Sequence, residues 1–251
     1  MRLKGKVAII TGASRGVGKG IAKVYGREGA AVVVAARTDA AGGKLPGTIY
    51  ETAEEIKAEG GIALPVRCDV QDEASVKAMV NATLKEFGQI DVLINNAGGA
   101  FSYRKVVDFP IARFDQAVAV NIRGPFLCCQ AVLPTMIKQK RGVILNMTSG
   151  AAFRFSRPGD TVYGLTKAAL DRFSTGLAWE VREHNISVVS ISPGQIKTEG
   201  IEEMYKDMKI DWSPFRTPEE VGPAFVWLAQ QTAKTFTMRV VLATDFGRVW
   251  P

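Results

Sequence analysis

The chain has 251 residues, 47% hydrophobic and 23% charged, a composition that fills an ordinary globular core and excludes a disordered chain. Its net charge of +7 is scattered, without the interleaved aromatics of a nucleic-acid interface, and no apolar run approaches the ~18 residues of a membrane span. Three cysteines without a C-x-x-C pair and a single histidine, His184, argue against disulfide frameworks and zinc or iron sites. No metal is expected. With no leader-like apolar start, a reducing cytoplasm is the expected location.

A β-branched run at 7–10 opens the chain and leads into Thr11-Gly12-Ala13-Ser14-Arg15-Gly16-Val17-Gly18, followed by a helical pattern at 18–28. Glycines at this junction allow a tight turn, close approach of backbone to a diphosphate and packing of helix on strand. A P-loop is excluded, because Ala13 and Gly20 stand where Gly and Ser/Thr would be needed before and after Lys19. The second run, 31–35, ends in Ala36-Arg37 with no carboxylate to hold a free adenosine ribose. Arg15 and Arg37 instead offer two guanidinium groups to a 2′-phosphate, which points to NADP(H) over NAD(H).

A glycine-rich stretch, 38–48, precedes a helix at 48–59 and a strand at 62–66 that runs into Cys68-Asp69-Val70. A helix at 73–87 and a strand at 92–94 lead to Asn95-Asn96-Ala97-Gly98. Next come a long helix at 111–138 containing Asn121, a strand at 143–145 leading to Ser149, and a helix at 162–184 opened by Tyr163-Gly164-Leu165-Thr166-Lys167. The strand at 186–191 runs into Pro193-Gly194-Gln195-Ile196-Lys197-Thr198, and a helix at 218–230 and a strand at 239–242 close the pattern. Seven strands alternating with helices predict an α/β fold: one Rossmann-type domain over 1–251, a doubly wound parallel sheet with helices on both faces. The ligand site of such a sheet lies off the carboxyl ends of its strands.

Tyr163 and Lys167 stand four apart on their helix, so the ammonium can lie near the phenol and favour its ionised form. Tyr205-Lys206-Asp207-Met208-Lys209 has the same spacing but lies in a polar segment beyond the Pro193-Gly194 turn, which disqualifies it. Cys128, Cys129 and His184 are read as packing and helix-end residues.

Taken in order, these motifs closely resemble the single-domain short-chain dehydrogenase/reductase family over nearly the whole chain. Lys44-Leu45-Pro46-Gly47-Thr48-Ile49-Tyr50 is similar to a segment of its hydroxysteroid-dehydrogenase-like members. The resemblance implies that Tyr163 is the general acid/base, that Lys167 also binds the nicotinamide ribose, that Ser149 holds the substrate oxygen and that Asn121 holds a relay water. It further implies cofactor contacts from Gly12, Ser14, Arg15, Gly16, Val17 and Gly18, and from Arg37, Asp69, Val70, Asn95, Ala97 and Gly98. Pro193, Gly194, Ile196 and Thr198 complete the set on the nicotinamide side.

The implied activity is NADP(H)-dependent interconversion of a carbonyl and an alcohol on a small molecule, by a homotetramer or homodimer. Acyl-thioester (3-oxoacyl type) reduction is the alternative suggested by Arg154 and Arg157 near the pocket. A cofactor-binding regulator without turnover is the other alternative, and it would be expected to lose one of the four catalytic positions, all of which are present. Phe101, Tyr103, Phe153 and Phe155 are expected to line an apolar pocket. A lid at 199–216, carrying Ile201, Met204, Tyr205, Met208, Ile210, Trp212 and Phe215, is expected to cover it.

Overall fold

Neighbouring residues of a strand point to opposite faces, so a run that is apolar throughout must be covered on both sides. The computed structural model, which describes residues 1–154 and 158–251, has this arrangement. Strands β1 (Val7–Thr11), β2 (Ala31–Ala36), β3 (Ile62–Arg67), β4 (Val92–Asn95), β5 (Gly142–Met147), β6 (Ile186–Ser192) and β7 (Arg239–Leu242) form one sheet. The order is β3-β2-β1-β4-β5-β6-β7, and every pairing is parallel. The helices are α1 (Gly16–Arg27), α2 (Ile49–Ala58), α3 (Glu73–Phe87), α4 (Ile111–Val118), α5 (Gly124–Gln139), α6 (Thr161–Val181), α7 (Glu199–Met204) and α8 (Gly222–Leu228).

The strand alternation sorts the core into two layers. Ala8, Ile10, Val32, Val34, Val92 and Ile94 pack with Ile21, Tyr25, Ile56 and Phe225 of α1, α2 and α8. Ile9, Val33, Leu93, Ile144 and Val188 face the other way, against Met79, Cys128, Val132 and Leu177 of α3, α5 and α6. The doubly wound α/β domain expected from the sequence is thus the fold observed. Its chain order reverses between β1 and β4, where such sheets open a crevice for ligands.

Local chemistry sets the helix ends. Thr48 caps α2 in a capping box with Glu51, and Asp72 accepts the Ala74 N–H at the start of α3, which stops at Gly88 in the left-handed region. Two expectations change. The continuous helix 111–138 is interrupted: between α4 and α5 lies a π turn, Ala119–Arg123, whose extra residue aims the Asn121 amide at Gly99 and Thr166. The helix 218–230 shortens to α8, where the Gln230 and Gln231 amides bond the carbonyls of Val226 and Trp227 and end it early. The stretch Ile111–Gln139 is long and apolar enough to cross a membrane, but half of its most apolar window is buried inside the fold.

Candidate active site

The carboxyl ends of β1, β4 and β5 bring the predicted residues to one end of the sheet. At the first junction Gly12 and Gly16 take left-handed backbone, at φ of 67° and 57°. A Cβ on Gly12 would stand 2.8 Å from Ala97 Cα, and one on Gly18 would stand 2.4 Å from Asn96 Nδ2, so only glycine fits. Asn96 locks the two loops together by donating to the carbonyls of Thr11 and Gly12, and Thr11 Oγ1 accepts the N–H groups of Asn96 and Ala97. Ser14 is buried, Val17 is half-buried, and Gly16 N–H donates to Glu199 Oε2 at 3.0 Å. The sequence does not single out Glu199. Its only signal there was an acidic residue directly after Thr198, and its contact spans most of the chain.

The two arginines behave differently. Arg15 donates Nε to Pro46 O and Nη2 to Gly47 O, each at 2.8 Å, and reaches Thr38 Oγ1 at 3.4 Å. It therefore lies beside the end of β2 with part of its donor set already engaged by the 38–48 stretch. Arg37 is exposed and makes no hydrogen bond or ion pair among the described residues. Ala36 is nearly buried at 9% exposure and leaves no carboxylate there. Asp69 accepts from Gln71, while Val70 packs against Gly124 behind the π turn.

Asn121, Ser149, Tyr163 and Lys167 come together beside Gly98. A Cβ on Gly98 would lie 2.9 Å from Asn121 Oδ1 and 3.4 Å from Lys167 Nζ. Asn121 Nδ2 donates to Gly99 O at 2.8 Å and to Thr166 Oγ1 at 3.0 Å, while its Oδ1 accepts Gly99 N–H. Ser149 Oγ accepts Ala151 N–H and neighbours the Tyr163 phenol. Lys167 is 4% exposed, donates Nζ to Met147 O at 2.8 Å, and lies 5.6 Å from the centre of the Tyr163 ring. Burial pulls this ammonium down to about 8. Burial also pushes the Tyr163 phenol up to about 12, against a lowering by Ser149. Lys167 thus stands beside the phenol as the four-residue spacing predicts, while burial acts on the phenol in the opposite direction.

Asn95 lies beneath this group and donates to Asn146 Oδ1 at 2.8 Å, and Asn146 donates to Ser174 Oγ at 2.7 Å. On the far side, Pro193 and Gly194 turn the chain out of β6, Ile196 is buried, and Thr198 caps α7 by accepting Ile201 N–H. The stretch after Thr198 is an excursion closed at its base, where Ile196 bridges to Arg216 and Lys197 N–H donates to Arg216 O. Trp212 and Phe215 pack edge to face at 4.9 Å, and Lys44 reaches Glu203 at 3.5 Å. Phe101 is half-buried with φ of 59°, Phe153 is exposed, and Tyr103 neighbours Tyr163. Phe155 and Arg157 lie outside the described residues. Tyr205, the rival tyrosine, sits at the end of α7.

Residues 6–209 match the family model of the short chain dehydrogenases. An uncharacterized oxidoreductase of Thermotoga maritima is 37% identical over 196 residues, covering 78% of this chain and 73% of that protein. Hydroxysteroid dehydrogenase-like protein 2 of Homo sapiens is 47% identical over 147 residues, covering 59% of this chain but only 35% of that longer protein. A metagenomic short-chain oxidoreductase solved in complex with NADP superposes with a TM-score of 0.80 at 30% identity, over 96% of this chain and 98% of that one. NAD+-bound xylitol dehydrogenase shares the fold, with a TM-score of 0.85 at 24% identity over 96% of this chain and 98% of its own. Because the match runs from β1 through the Thr198 turn and α7, this chain belongs to the short-chain dehydrogenases, oxidoreductases that bind a nicotinamide cofactor and act on small molecules.

Proposed function

We propose that this protein is an NADP(H)-dependent oxidoreductase that interconverts a carbonyl and an alcohol on a fairly hydrophobic small molecule. The observation that carries this reading is the convergence of Ser149, Tyr163, Lys167 and Asn121 beside Gly98, at the same end of the sheet as the glycine turn. The fit to a dinucleotide rests on three glycines, Gly12, Gly18 and Gly98, at which a Cβ would collide with its surroundings. Gly12, Ser14, Arg15, Gly16, Val17 and Gly18 would hold the diphosphate end. Asp69 and Val70 would flank the adenine, with Asn95, Ala97, Gly98, Pro193, Gly194, Ile196 and Thr198 toward the nicotinamide. When bound, this cofactor supplies or takes up the hydride.

The protein's own residues then handle the oxygen and its proton. Tyr163 Oη gives the proton to the carbonyl oxygen in reduction and takes it from the alcohol in oxidation. Ser149 orients that oxygen and lowers the phenol by hydrogen bonding. Lys167, fixed on Met147 O, keeps a positive charge over the Tyr163 ring, and the Asn121 amide holds the Gly99 loop against Thr166. The preference for the 2′-phosphate is supported by Arg37, whose guanidinium is uncommitted, and by Ala36, which supplies no ribose acceptor. The apolar side chains of the 199–216 lid and of Phe101 and Phe153 support a hydrophobic substrate.

Exposed Phe126, Leu165 and Trp179 on α5 and α6 support assembly of copies, whereas Leu170, Leu177 and Ala178 are used by the chain's own core. A panel of ring ketones, small polar ketones and acyl thioesters, read by NADPH absorbance, tests the reading. Hydrophobic ring ketones are expected to give the highest kcat/KM.

A further inference from the structure

The stretch 38–48 has no part in the proposed chemistry, yet it makes a defined set of contacts. It leaves the end of β2 and returns there: Ile49 N–H donates to Thr38 O at 3.0 Å, which closes the excursion at its base. Its returning limb lies on the glycine turn. Arg15 donates to Pro46 O and Gly47 O, and Gly47, at φ of 97°, comes so near the turn that a Cβ there would stand 2.4 Å from Ser14 O. The tip reaches farther, to α7. Lys44 Nζ lies 3.5 Å from Glu203 Oε1, and Leu45, half-buried between exposed Lys44 and Pro46, has its Cδ1 3.9 Å from where a Cβ on Gly200 would be.

Helix α7 meets this stretch and the glycine turn with one face. Residues 199, 200 and 203 fall on the same side of a helix, and each has a neighbour across from it. Glu199 Oε2 accepts Gly16 N–H at 3.0 Å, Gly200 lies against Leu45, and Glu203 pairs with Lys44. Thr198, just before α7, is also close: a Cβ on Gly16 would lie 3.5 Å from its Cγ2. Gly16 opens α1, and its N–H is among the groups assigned above to the diphosphate. In this structure a carboxylate of the protein holds it. One N–H serves one strong acceptor, and two anions at one helix start repel each other, so Glu199 and a diphosphate compete for this place.

We infer that α7, carrying Glu199, is a latch on the cofactor site, and that the 38–48 stretch is the strap that holds it shut in the free protein. The latched form takes up no dinucleotide, so apparent affinity falls in proportion to the unlatched fraction. The inference rests on the diphosphate site proposed above and is independent of the substrate and of the preference between NADP(H) and NAD(H). Lys44→Ser combined with Leu45→Ser, two changes at the tip of the strap, tests it. In hydrogen–deuterium exchange of the free protein, segment 199–204 should exchange faster in this variant than in the parent. NADPH and NADH, titrated by fluorescence, should each bind about three- to tenfold tighter, the gain expected if the unlatched fraction rises from about a tenth to between a third and all of the molecules. Loss of the Lys44 charge would by itself weaken an anionic ligand, so charge cannot produce this gain. Added to Glu199→Ala, the same two changes should bring little further gain, because both act through one latch. Unchanged exchange of 199–204, nucleotide affinity equal to or below the parent's, or a full additive gain on top of Glu199→Ala would each overturn the inference. A parent protein that binds neither nucleotide would refute the diphosphate site itself, and the latch with it.

Discussion

Replacing Gly18 with alanine puts a methyl group where the two loops already touch. The new Cβ would stand 2.4 Å from Asn96 Nδ2 and 2.5 Å from Gly12 O, the two ends of a 3.1 Å hydrogen bond. Ordinary contacts to carbon are about 3.5–4.0 Å, so relief requires a displacement of roughly 1 Å. Helix α1 has little room to retreat: Tyr25 Oη donates to Phe225 O at 2.8 Å, and Gly20 is packed so closely on Pro218 that its own Cβ would lie at 2.5 Å. The Asn96 side chain must therefore yield. Overpacking costs about 1–3 kcal/mol and the lost hydrogen bond about 1 kcal/mol, while alanine returns about 1 kcal/mol of helix propensity. The net loss is about 1–3 kcal/mol, a fall of roughly 5 °C in Tm for a domain of this size. Thermal unfolding and NADPH titration by fluorescence should both register it. Gly150→Ala, at a position where nothing lies within 4 Å of the new Cβ, should shift stability by about 0.5 kcal/mol or less. A Gly18→Ala protein with the parent's Tm and NADPH affinity would refute the steric reasoning.

Ala36→Asp should move cofactor preference from NADP(H) toward NAD(H), and Arg37→Ala should weaken NADP(H) alone by about tenfold; equal affinity for both cofactors in the unaltered protein would contradict this reading. Glu199→Ala removes the carboxylate that Gly16 N–H now holds, so it should strengthen cofactor binding several-fold and lower the Tm of the free protein; weaker binding would show that Glu199 helps the cofactor. Lys167 titrates near 8 in the folded chain against an ordinary 10.5, so between those values the unfolded chain binds more protons and stability rises with pH. Urea unfolding should accordingly show the parent gaining on Lys167→Met as pH rises through that window, and a constant difference would place the lysine outside the low-dielectric interior.

What the sequence made legible was local in the chain. The glycine turn, the Asn95-Asn96-Ala97-Gly98 loop and the Tyr163–Lys167 pair are short patterns whose geometry follows from strand-to-helix junctions and helical spacing. The alternation of strands and helices likewise implies a doubly wound parallel sheet, which is the sheet observed. What escaped the reading depends on contacts distant in sequence. The π turn around Asn121 follows from a meeting with Gly99 and Thr166, and helical propensity over 111–138 gives no sign of it. The sequence offers Arg15 to a phosphate but gives no sign that the turn at Gly47 also brings two carbonyls within its reach. The spacing of Tyr163 to Lys167 is legible along the chain, whereas the burial that pushes the phenol up is a property of the packed site. Glu199 belongs to the same class: an ordinary acidic residue in the sequence, it meets the Gly16 N–H only when α7 packs beside the glycine turn.

The central claim is that Tyr163 transfers the proton in an NADPH-dependent carbonyl reduction, and Tyr163→Phe tests it most directly. With the best ketone of the panel, the parent should oxidise NADPH. Tyr163→Phe should lose about 10²–10⁴-fold in kcat while binding NADPH with nearly the parent's affinity. Tyr205→Phe, the same change in the rival motif, should stay close to the parent. Turnover that survives in Tyr163→Phe and disappears in Tyr205→Phe would contradict the account.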